Sequence, residues 1–523
     1  MLGNFISKEK TFLFYLAAVS VSGMMIIYVA TSSYGPGVSG DSVRYLSVAQ
    51  NLLAGKGFFD YSLGPLLAWP PLYSIILALL GAVTGDVFVA GWALNIFLFG
   101  FTIYLMGLVI ANIVPDQLIY AYMGPLVVMV LPSLVRVYSI IAADPLFMFL
   151  SLVFFRQSVL YLQSGKITNL FLMCFLAILA GLVKYPGLVL SVTGSFLITT
   201  YYFRQQRRWT GLWSGVVFFL ISILPLLGWV FFHNYLTYGS FFGDRGYAEP
   251  LGNLYIAVEK ILYWFIPYNI IQRATPYGLI LLILLTALII IQPTSWRRWF
   301  DRLLGNEILP MLLYAVLYGL TLVFLVSYAE HKYFRVDRLH IALVFPLLVF
   351  LVSAVDTLLV RWDFLPRASF LPLVVAIFCF FAWLSYPAYN TYKYINRSLA
   401  MGETDNNLYN TKALRESDIV AYLENNPFSP DEILYSNHEG AAWFYTRRNV
   451  LGMPQGDRVS EENQDIAKVL DDYRDWPSEA GTIIWFDLDF KLHILPPDNL
   501  TPLAVITLVY QGNSGSVYQV APR

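Results

Sequence analysis

The chain has 523 residues, of which 58% are hydrophobic and 13% are charged, and its mean hydropathy is +0.60. This composition excludes an ordinary soluble enzyme and predicts a polytopic membrane protein. The formal net charge of −1 is unevenly divided, because 19 acidic and only 9 basic side chains follow residue 400, and nucleic acid is not an expected partner.

Apolar segments long enough to cross a bilayer predict about eleven transmembrane helices, and the first is too long to be the core of a signal peptide. They lie near 11–30, 88–112, 117–137, 144–162, 168–187, 188–203, 211–232, 277–292, 308–328, 338–360 and 368–388. Two further segments, 71–84 and 254–271, are predicted to lie at the membrane interface. The first is short and follows two prolines, and the second contains charged residues and a proline.

The Lys and Arg residues of the short loops predict the orientation of these helices. With a cytoplasmic N-terminus, eleven crossings place five basic groups on the cytoplasmic side: Lys8 with Lys10, Arg156 with Lys166, Arg204 with Arg207 and Arg208, Arg297 with Arg298 and Arg302, and Arg361 with Arg367. The first loop, the segment around Asp144, the helix end at Lys184 and the whole tail are then predicted to be extracytoplasmic.

The first outer loop carries an acid, Asp41, at the start of the stretch 40–53. This stretch is predicted to form an amphipathic helix at the lipid boundary, with the apolar residues Val43, Leu46, Val48, Leu52 and Leu53 and with Asp41, Arg44 and Gln50 facing water or protein. A carboxylate at the mouth of a membrane bundle is costly to keep there. We therefore interpret Asp41 as functional.

A second acid, Asp144, precedes Pro145 at the start of an apolar helix. An Asp before Pro could simply cap that helix. The predicted topology nevertheless places Asp41 and Asp144 at the same membrane face, where two carboxylates could share an acceptor, a proton or a metal ion.

Basic residues are predicted at this face as well. Lys184 ends an apolar helix beside Pro186 and Gly187, where it could be a snorkelling lysine or a phosphate-binding cation. Arg335, Arg338 and His340 form the densest basic cluster there, which an anionic lipid headgroup would explain, and Arg44 and Arg136 could add to the same field. For each of them singly, solvated surface charge is the alternative.

The tail from about residue 389 is predicted to be a second, small α/β domain, which divides the chain into a membrane domain, 1–388, and a soluble domain, 389–523. Helices are predicted at 418–423, 440–445 and 466–470, and strands at 432–436, 481–486, 503–508 and 515–520.

The five histidines show no metal-ligand spacing, and no phosphate-cradling glycine loop or nucleophile elbow is present.

Four short stretches follow one another along the chain: Asp41-Ser42-Val43-Arg44-Tyr45, Pro70-Pro71-Leu72-Tyr73, Ala143-Asp144-Pro145-Leu146-Phe147 and Gly181-Leu182-Val183-Lys184-Tyr185. In this order they resemble the GT-C glycosyltransferases, and within them the branch of protein O-mannosyltransferases and aminoarabinose-lipid A transferases. The resemblance implies an all-α polytopic membrane bundle with amphipathic helices in the first outer loop. One departure is Ser42, because many members of the family have Asp-Glu where this chain has Asp41-Ser42.

The resemblance also implies roles for residues of this chain. Asp41 corresponds to the general base, Asp144 to the second acid and Lys184 to the cation that binds the lipid phosphate, with help from Arg338 and, in our interpretation, from Arg335, Arg44 and His340. The implied reaction is an inverting transfer of a sugar from a polyprenyl-phosphate donor to an extracytoplasmic lipid, glycan or protein acceptor, in a bacterial or archaeal plasma membrane. No cofactor is expected except a divalent cation, which Asp41 and Asp144 would hold if one is needed.

Two other functions use similar residues. A transporter or lipid flippase also needs intramembrane acids and a basic pocket, but it predicts acids near the bilayer midplane and paired half-repeats. The acids of this chain are predicted at one face, and no repeat is visible. A scaffold that only anchors the acidic tail would be unaffected by loss of Asp41.

Overall fold

The computed structural model describes residues 2–113, 118–241, 250–273, 275–276, 278–280, 283–284, 293–326, 337–359, 371–402, 407–456, 466–487 and 494–523. The chain divides into two compact units. The helical unit comprises Met1–Ser32, Leu67–Tyr73 and Trp92–Leu399, and the α/β unit comprises Ser33–Leu66, Ser74–Gly91 and Ala400–Arg523. The helix that contains the predicted domain boundary at 388/389 continues to Met401, and the boundary itself stays a prediction.

The first part of the chain is formed almost entirely by helices. Their bounds are α1 Leu2–Ala30, α2 Gly40–Leu53, α3 Leu72–Thr84, α4 Val87–Ile113, α5 Leu118–Val130, α6 Pro132–Tyr138, α7 Asp144–Ser164, α8 Ile167–Val183, α9 Leu188–Arg204, α10 Arg208–Gly228, α11 Leu236–Tyr238, α12 Pro250–Tyr263, α13 Tyr268–Arg273, α14 Pro293–Leu303, α15 Leu309–Val326, α16 Val344–Leu359 and α17 Leu371–Met401. A π-helix, Trp229–Tyr235, joins α10 to α11, and 3-10 turns form Tyr185–Gly187, Asp337–Leu339 and Ile341–Leu343.

Four helices of the described residues are long and apolar enough to cross a membrane: Lys10–Ala30, Val87–Ile113, Asp144–Ser164 and Arg208–Tyr238. Shorter apolar helices are Leu72–Thr84, Ile167–Val183, Leu309–Val323 and Ile341–Asp356. The chain is thus an integral, multi-pass membrane protein, whereas the number of eleven crossings and their orientation stay predictions. Most of the predicted span 277–292 lies outside the described residues.

The predicted continuous span at 117–137 is instead a bent pair of helices, α5 and α6, whose axes differ by 57°. The break falls at Leu131, whose backbone is extended, and Pro132 begins α6. Proline disfavours the helical conformation of the residue before it, which explains why the helix stops here. If the pair is one span, it is a fifth candidate crossing.

The α/β unit is built on a five-stranded sheet. Its strands are β1 Ile433–Ser436, β2 Val450–Gly452, β3 Gly481–Phe486, β4 Ala504–Gln511 and β5 Gly515–Pro522, in the order β2-β1-β3-β5-β4. Strand β1 is parallel to β2 and β3, and β5 is antiparallel to β3 and β4. The remaining helices of the unit are α18 Lys412–Arg415, α19 Asp418–Asn425, α20 Glu439–Thr446 and α21 Ile466–Asp472.

Helix α2 is predicted correctly, but its apolar face does not lie against lipid. Val43, Leu46 and Val48 are fully buried in the protein, and only Leu53 is substantially exposed, at 49%. The sequence pattern of an amphipathic helix is the same whether lipid or protein covers the apolar side. The N-terminus of α2 is closed by a capping box, in which Ser39 and Ser42 each bind the other's backbone N–H.

Candidate functional site

In the helical unit, the carboxylate of Asp144 is buried between two cations. One of its oxygens accepts a hydrogen bond from Lys184 Nζ, and the other accepts one from Arg338 Nε at 3.0 Å. The side chain of Asp144 is 2% exposed, whereas those of Lys184 and Arg338 are 24% and 14% exposed. Asp144 is the first residue of α7, the N-cap residue is Ala143, and both Asp144 oxygens are bound by cations, so the N-cap interpretation is wrong.

Lys184 reaches Asp144 because α8 stops one residue earlier. The backbone of Lys184 is extended, and the 3-10 turn Tyr185–Gly187 follows directly. This turn is closed by a 2.8 Å hydrogen bond from Gly187 N to Lys184 O. A side chain at Gly187 would collide with the backbone carbonyl of Ala180. Glycine therefore allows the tight turn that separates α8 from α9 and directs the lysine toward the acid.

A second buried carboxylate, Asp337, lies beside Arg338 in the sequence and was not predicted to contribute. It lies 3.6 Å from Arg136 Nη1 and accepts a hydrogen bond from Trp264 Nε1 at 3.1 Å. Its position in a 3-10 turn and its partners on distant segments leave no local sequence signal.

We call Asp144, Lys184, Arg338, Asp337 and Arg136 the ion cluster. Three cations and two carboxylates leave it with a net charge of +1. Since its lysine and arginine side chains keep some exposed surface while Asp144 has almost none, the cluster can offer positive charge to an anionic ligand. A phosphate oxygen would gain charge-assisted hydrogen bonds there.

Of the remaining predicted basic residues at this position of the chain, His340 is fully buried, directly after the Asp337–Leu339 turn. Arg335 lies outside the described residues. Among the described residues of the basic stretch predicted from the sequence, Arg338 is the one that belongs to the ion cluster.

The segment before α3 is attached to the end of α8. The carbonyl oxygen of Leu67 accepts hydrogen bonds from Tyr185 Oη at 3.1 Å and from Asn234 Nδ2 at 3.0 Å. Asn234 is fully buried in the π-helix and also donates to Phe241 O at 2.7 Å. Single turns of π-helix often occur at functional sites, and here Asn234 of the π-helix and Tyr185, the residue next to Lys184, donate to the same carbonyl oxygen.

In the α/β unit, Asp41 and Arg44 lie three residues apart on α2, a spacing that places them on one side of a helix. Arg44 Nε lies 3.6 Å from Asp60 Oδ2, and its guanidinium carbon lies 5.9 Å from the centre of the Tyr61 ring. Burial lowers the pKa of Arg44, but the Tyr61 phenol and the carboxylates of Asp60 and Asp41 outweigh burial and raise it above its ordinary value. Arg44 is therefore permanently charged.

Asp60 fixes the loop that carries Tyr61. Its Oδ1 accepts from the backbone N–H of Ser62 at 2.9 Å and of Gly64 at 3.2 Å, which leaves Oδ2 for Arg44. The Tyr61 carbonyl in turn accepts from Val450 N, at the start of β2, at 2.9 Å. The pattern Asp-x-Ser-x-Gly is typical of such a side-chain-closed turn and is a usable sequence signal for it.

The described residues contain no group of three His, Cys, Asp or Glu side chains that could hold a metal ion. Around Asp144 both carboxylate oxygens already accept from cations, which is an unsuitable environment for a divalent ion that needs several oxygen ligands. The predicted use of Asp41 and Asp144 as metal ligands stays a prediction.

These features define a polytopic membrane protein with a cationic cluster in its helical part and a separate α/β unit. Two solved structures of ArnT from Cupriavidus metallidurans, one in the apo state and one bound to undecaprenyl phosphate, are similar to it. Each matches with a TM-score of 0.61 and 14% identity, over 96% of this chain and 97% of that chain. Arabinosyltransferase EmbB from Mycobacterium smegmatis aligns with a TM-score of 0.36 and 15% identity, over 74% of this chain and 41% of that chain.

No protein-family model matches the sequence, and no curated protein matches it. ArnT, an aminoarabinose-lipid A transferase, is a GT-C fold enzyme, and the match to it covers nearly the whole of both chains. This chain therefore has the GT-C fold, and the predicted fold relationship is confirmed.

Proposed function

We propose that the chain is an integral-membrane glycosyltransferase that moves a sugar from a polyprenyl-phosphate donor to an acceptor of the cell envelope. The ion cluster carries this proposal, because a buried acid that holds two partly exposed cations is suited to a lipid-linked phosphate. The undecaprenyl phosphate present in one ArnT structure supports the same donor class.

In this proposal the residues divide the chemistry between them. Asp41 accepts a proton from the acceptor's hydroxyl or amino group, whose oxygen or nitrogen then attacks the anomeric carbon of the donor. The bond between that carbon and the phosphate oxygen breaks, and the anomeric configuration inverts. The departing phosphate keeps the electron pair, and Lys184 and Arg338 stabilise its charge, which is typically worth about 3–4 kcal/mol per well-placed donor.

Asp144 has a different role from the one predicted for a second catalytic acid. Both of its oxygens are engaged by cations, so it is poorly placed to take a proton. We assign Asp144 the role of orienting Lys184 and Arg338. The net positive charge of the ion cluster then binds the phosphate. In the first loop, Arg44 is the cation that we assign to binding of the donor phosphate.

The test is transfer by the purified full chain in lipid nanodiscs, with a panel of sugars linked to polyprenyl phosphate. We expect transfer from at least one donor, a loss of about 10³-fold or more in kcat for Asp41→Asn, and a raised donor KM for Lys184→Met. A parallel reaction with chelator tests the divalent cation.

The matched control is Asp471→Asn, which removes an exposed carboxylate whose partner is Arg474 at 3.3 Å and should leave kcat unchanged. Full activity of Asp41→Asn would remove the assignment of the base. The proposed function would be contradicted if the wild-type chain neither transferred a sugar from any donor nor bound polyprenyl phosphate.

A further inference from the structure

In the α/β unit, a short segment from after α17 holds the residues that lead into α2. The backbone N–H of Val38 donates to Asn407 Oδ1 at 2.9 Å. In the opposite direction, the backbone N–H groups of Leu408 and Tyr409 donate to Val38 O at 2.9 and 3.2 Å. Both backbone groups of Val38 are therefore bound by residues about 370 positions later in the chain.

Asn410 binds the same lead-in segment at the residues two and four positions before Val38. Its side-chain Nδ2 donates to Tyr34 O at 2.5 Å and to Pro36 O at 2.8 Å, and the residue is fully buried. Gly35, between these two carbonyls, has a φ of +81°, a conformation that glycine adopts without strain. The lead-in segment is thus shaped to present its carbonyls to one asparagine.

The two asparagines are joined by a hydrogen bond and are also bound to other residues. Asn407 Oδ1 also accepts from Asn410 N at 3.0 Å, and Asn407 Nδ2 donates to Gly402 O at 2.7 Å. Asn410 Oδ1 accepts from Arg415 Nε at 2.5 Å. Because every side-chain polar atom of both residues is engaged, their positions are tightly fixed.

Val38 is directly followed by Ser39, the N-cap of α2, and Asp41 is the second residue of that helix. The capping box makes the first turn rigid. A displacement of Val38 is therefore transmitted to Asp41 over only three residues. Misplacement of a reacting group by about 1 Å can lower a rate by about 10²-fold.

We propose that Asn407 and Asn410 are positioning residues that set the location of the Asp41 carboxylate for the transfer reaction, an inference that rests on the proposed function. Residues 407–410 of the α/β unit then determine where the base stands.

The experiment measures kcat per folded full-length enzyme for Asn407→Leu and Asn407→Asp. Leucine has a similar size but removes both accepted hydrogen bonds, and we expect kcat to fall by about 10- to 100-fold. Aspartate keeps the accepting oxygen and should retain kcat within about threefold. If Asn407→Leu does not fold, Asn407→Ala replaces it, because alanine removes the same oxygen with less steric demand.

Asp418→Ala is the matched control. Its side chain also accepts two backbone N–H groups in the α/β unit, those of Asn513 and Ser514 in the turn between β4 and β5. This variant should lose stability and keep kcat. An equal loss of kcat in Asn407→Leu and Asp418→Ala would reduce the role of Asn407 to general stability and overturn the inference.

A double-mutant cycle separates the inference from the proposed function. In an Asp41→Asn background, Asn407→Leu should lower the residual rate less than about twofold, since its effect is exerted through Asp41. Full additivity of the two effects would overturn the positioning role while leaving the base assignment intact. Wild-type activity of Asp41→Asn alone would instead contradict the proposed function.

Discussion

Neutralisation of Asp144 is the change to which the ion cluster should be most sensitive. Asp144→Asn keeps the shape of the side chain but raises the net charge of the cluster from +1 to +2, because three cations then face one carboxylate. Removal of one partner from a buried ion pair typically costs about 3–5 kcal/mol. Since the side chains of Lys184 and Arg338 are 24% and 14% exposed, water relieves part of this cost, and we expect about 3 kcal/mol.

The assay is urea unfolding of the full chain in mixed micelles, followed by tryptophan fluorescence and extrapolated linearly to zero denaturant. Adding Lys184→Met to Asp144→Asn should recover part of the loss, because it removes one of the unpaired cations. Asp471→Asn, in which an exposed ion pair is broken, should change the free energy of unfolding little. The reasoning is refuted if Asp144→Asn costs no more than this control, or if the double variant is less stable than Asp144→Asn alone.

Gly187→Ala places a methyl group on the backbone of Ala180, and it should lower the free energy of unfolding by about 1–3 kcal/mol and weaken donor binding. The control is Gly228→Ala, in which the added carbon has open space. Equal effects of the two substitutions would contradict the role of the turn. Hydrogen bonds from the backbone of Asn513 and its neighbour lower the pKa of the Asp418 carboxylate below its ordinary value. This group therefore contributes stability above about pH 4, the pKa of an unfolded Asp, and loses it as the pH falls through the lower folded value. Thermal unfolding of the full chain should show Asp418→Asn less stable than wild type at pH 7 and the difference shrinking below pH 4; a difference that grows on acidification would be the wrong sign.

Most elements of the α/β unit are predictable because their signals are local. Alternating apolar residues predict β3 with its observed bounds, and they predict β1, β4 and β5 to within a few residues. Strand β2 has only three residues, Val450–Gly452, which is too short for any periodicity to be visible. It becomes a strand through its parallel pairing with β1.

The candidate site is predictable where a charge stands at the end of an apolar helix. Asp144 and Lys184 are conspicuous for this reason, and the structure joins them. Asp337 and the two asparagines, Asn407 and Asn410, are not conspicuous, because their importance comes from partners far away in the chain. No local pattern encodes such contacts.

The α/β unit is assembled from three separated segments, and this has a consequence for biosynthesis. Residues 33–66 and 74–91 leave the ribosome hundreds of residues before Ala400–Arg523, with which they pack. Domains generally form in the order in which they are translated, yet here the first segments of the unit must wait for the last one. A nascent chain would therefore place Asp41 correctly only after residues 400–523 have been translated, so that the order of the segments delays formation of the α/β unit.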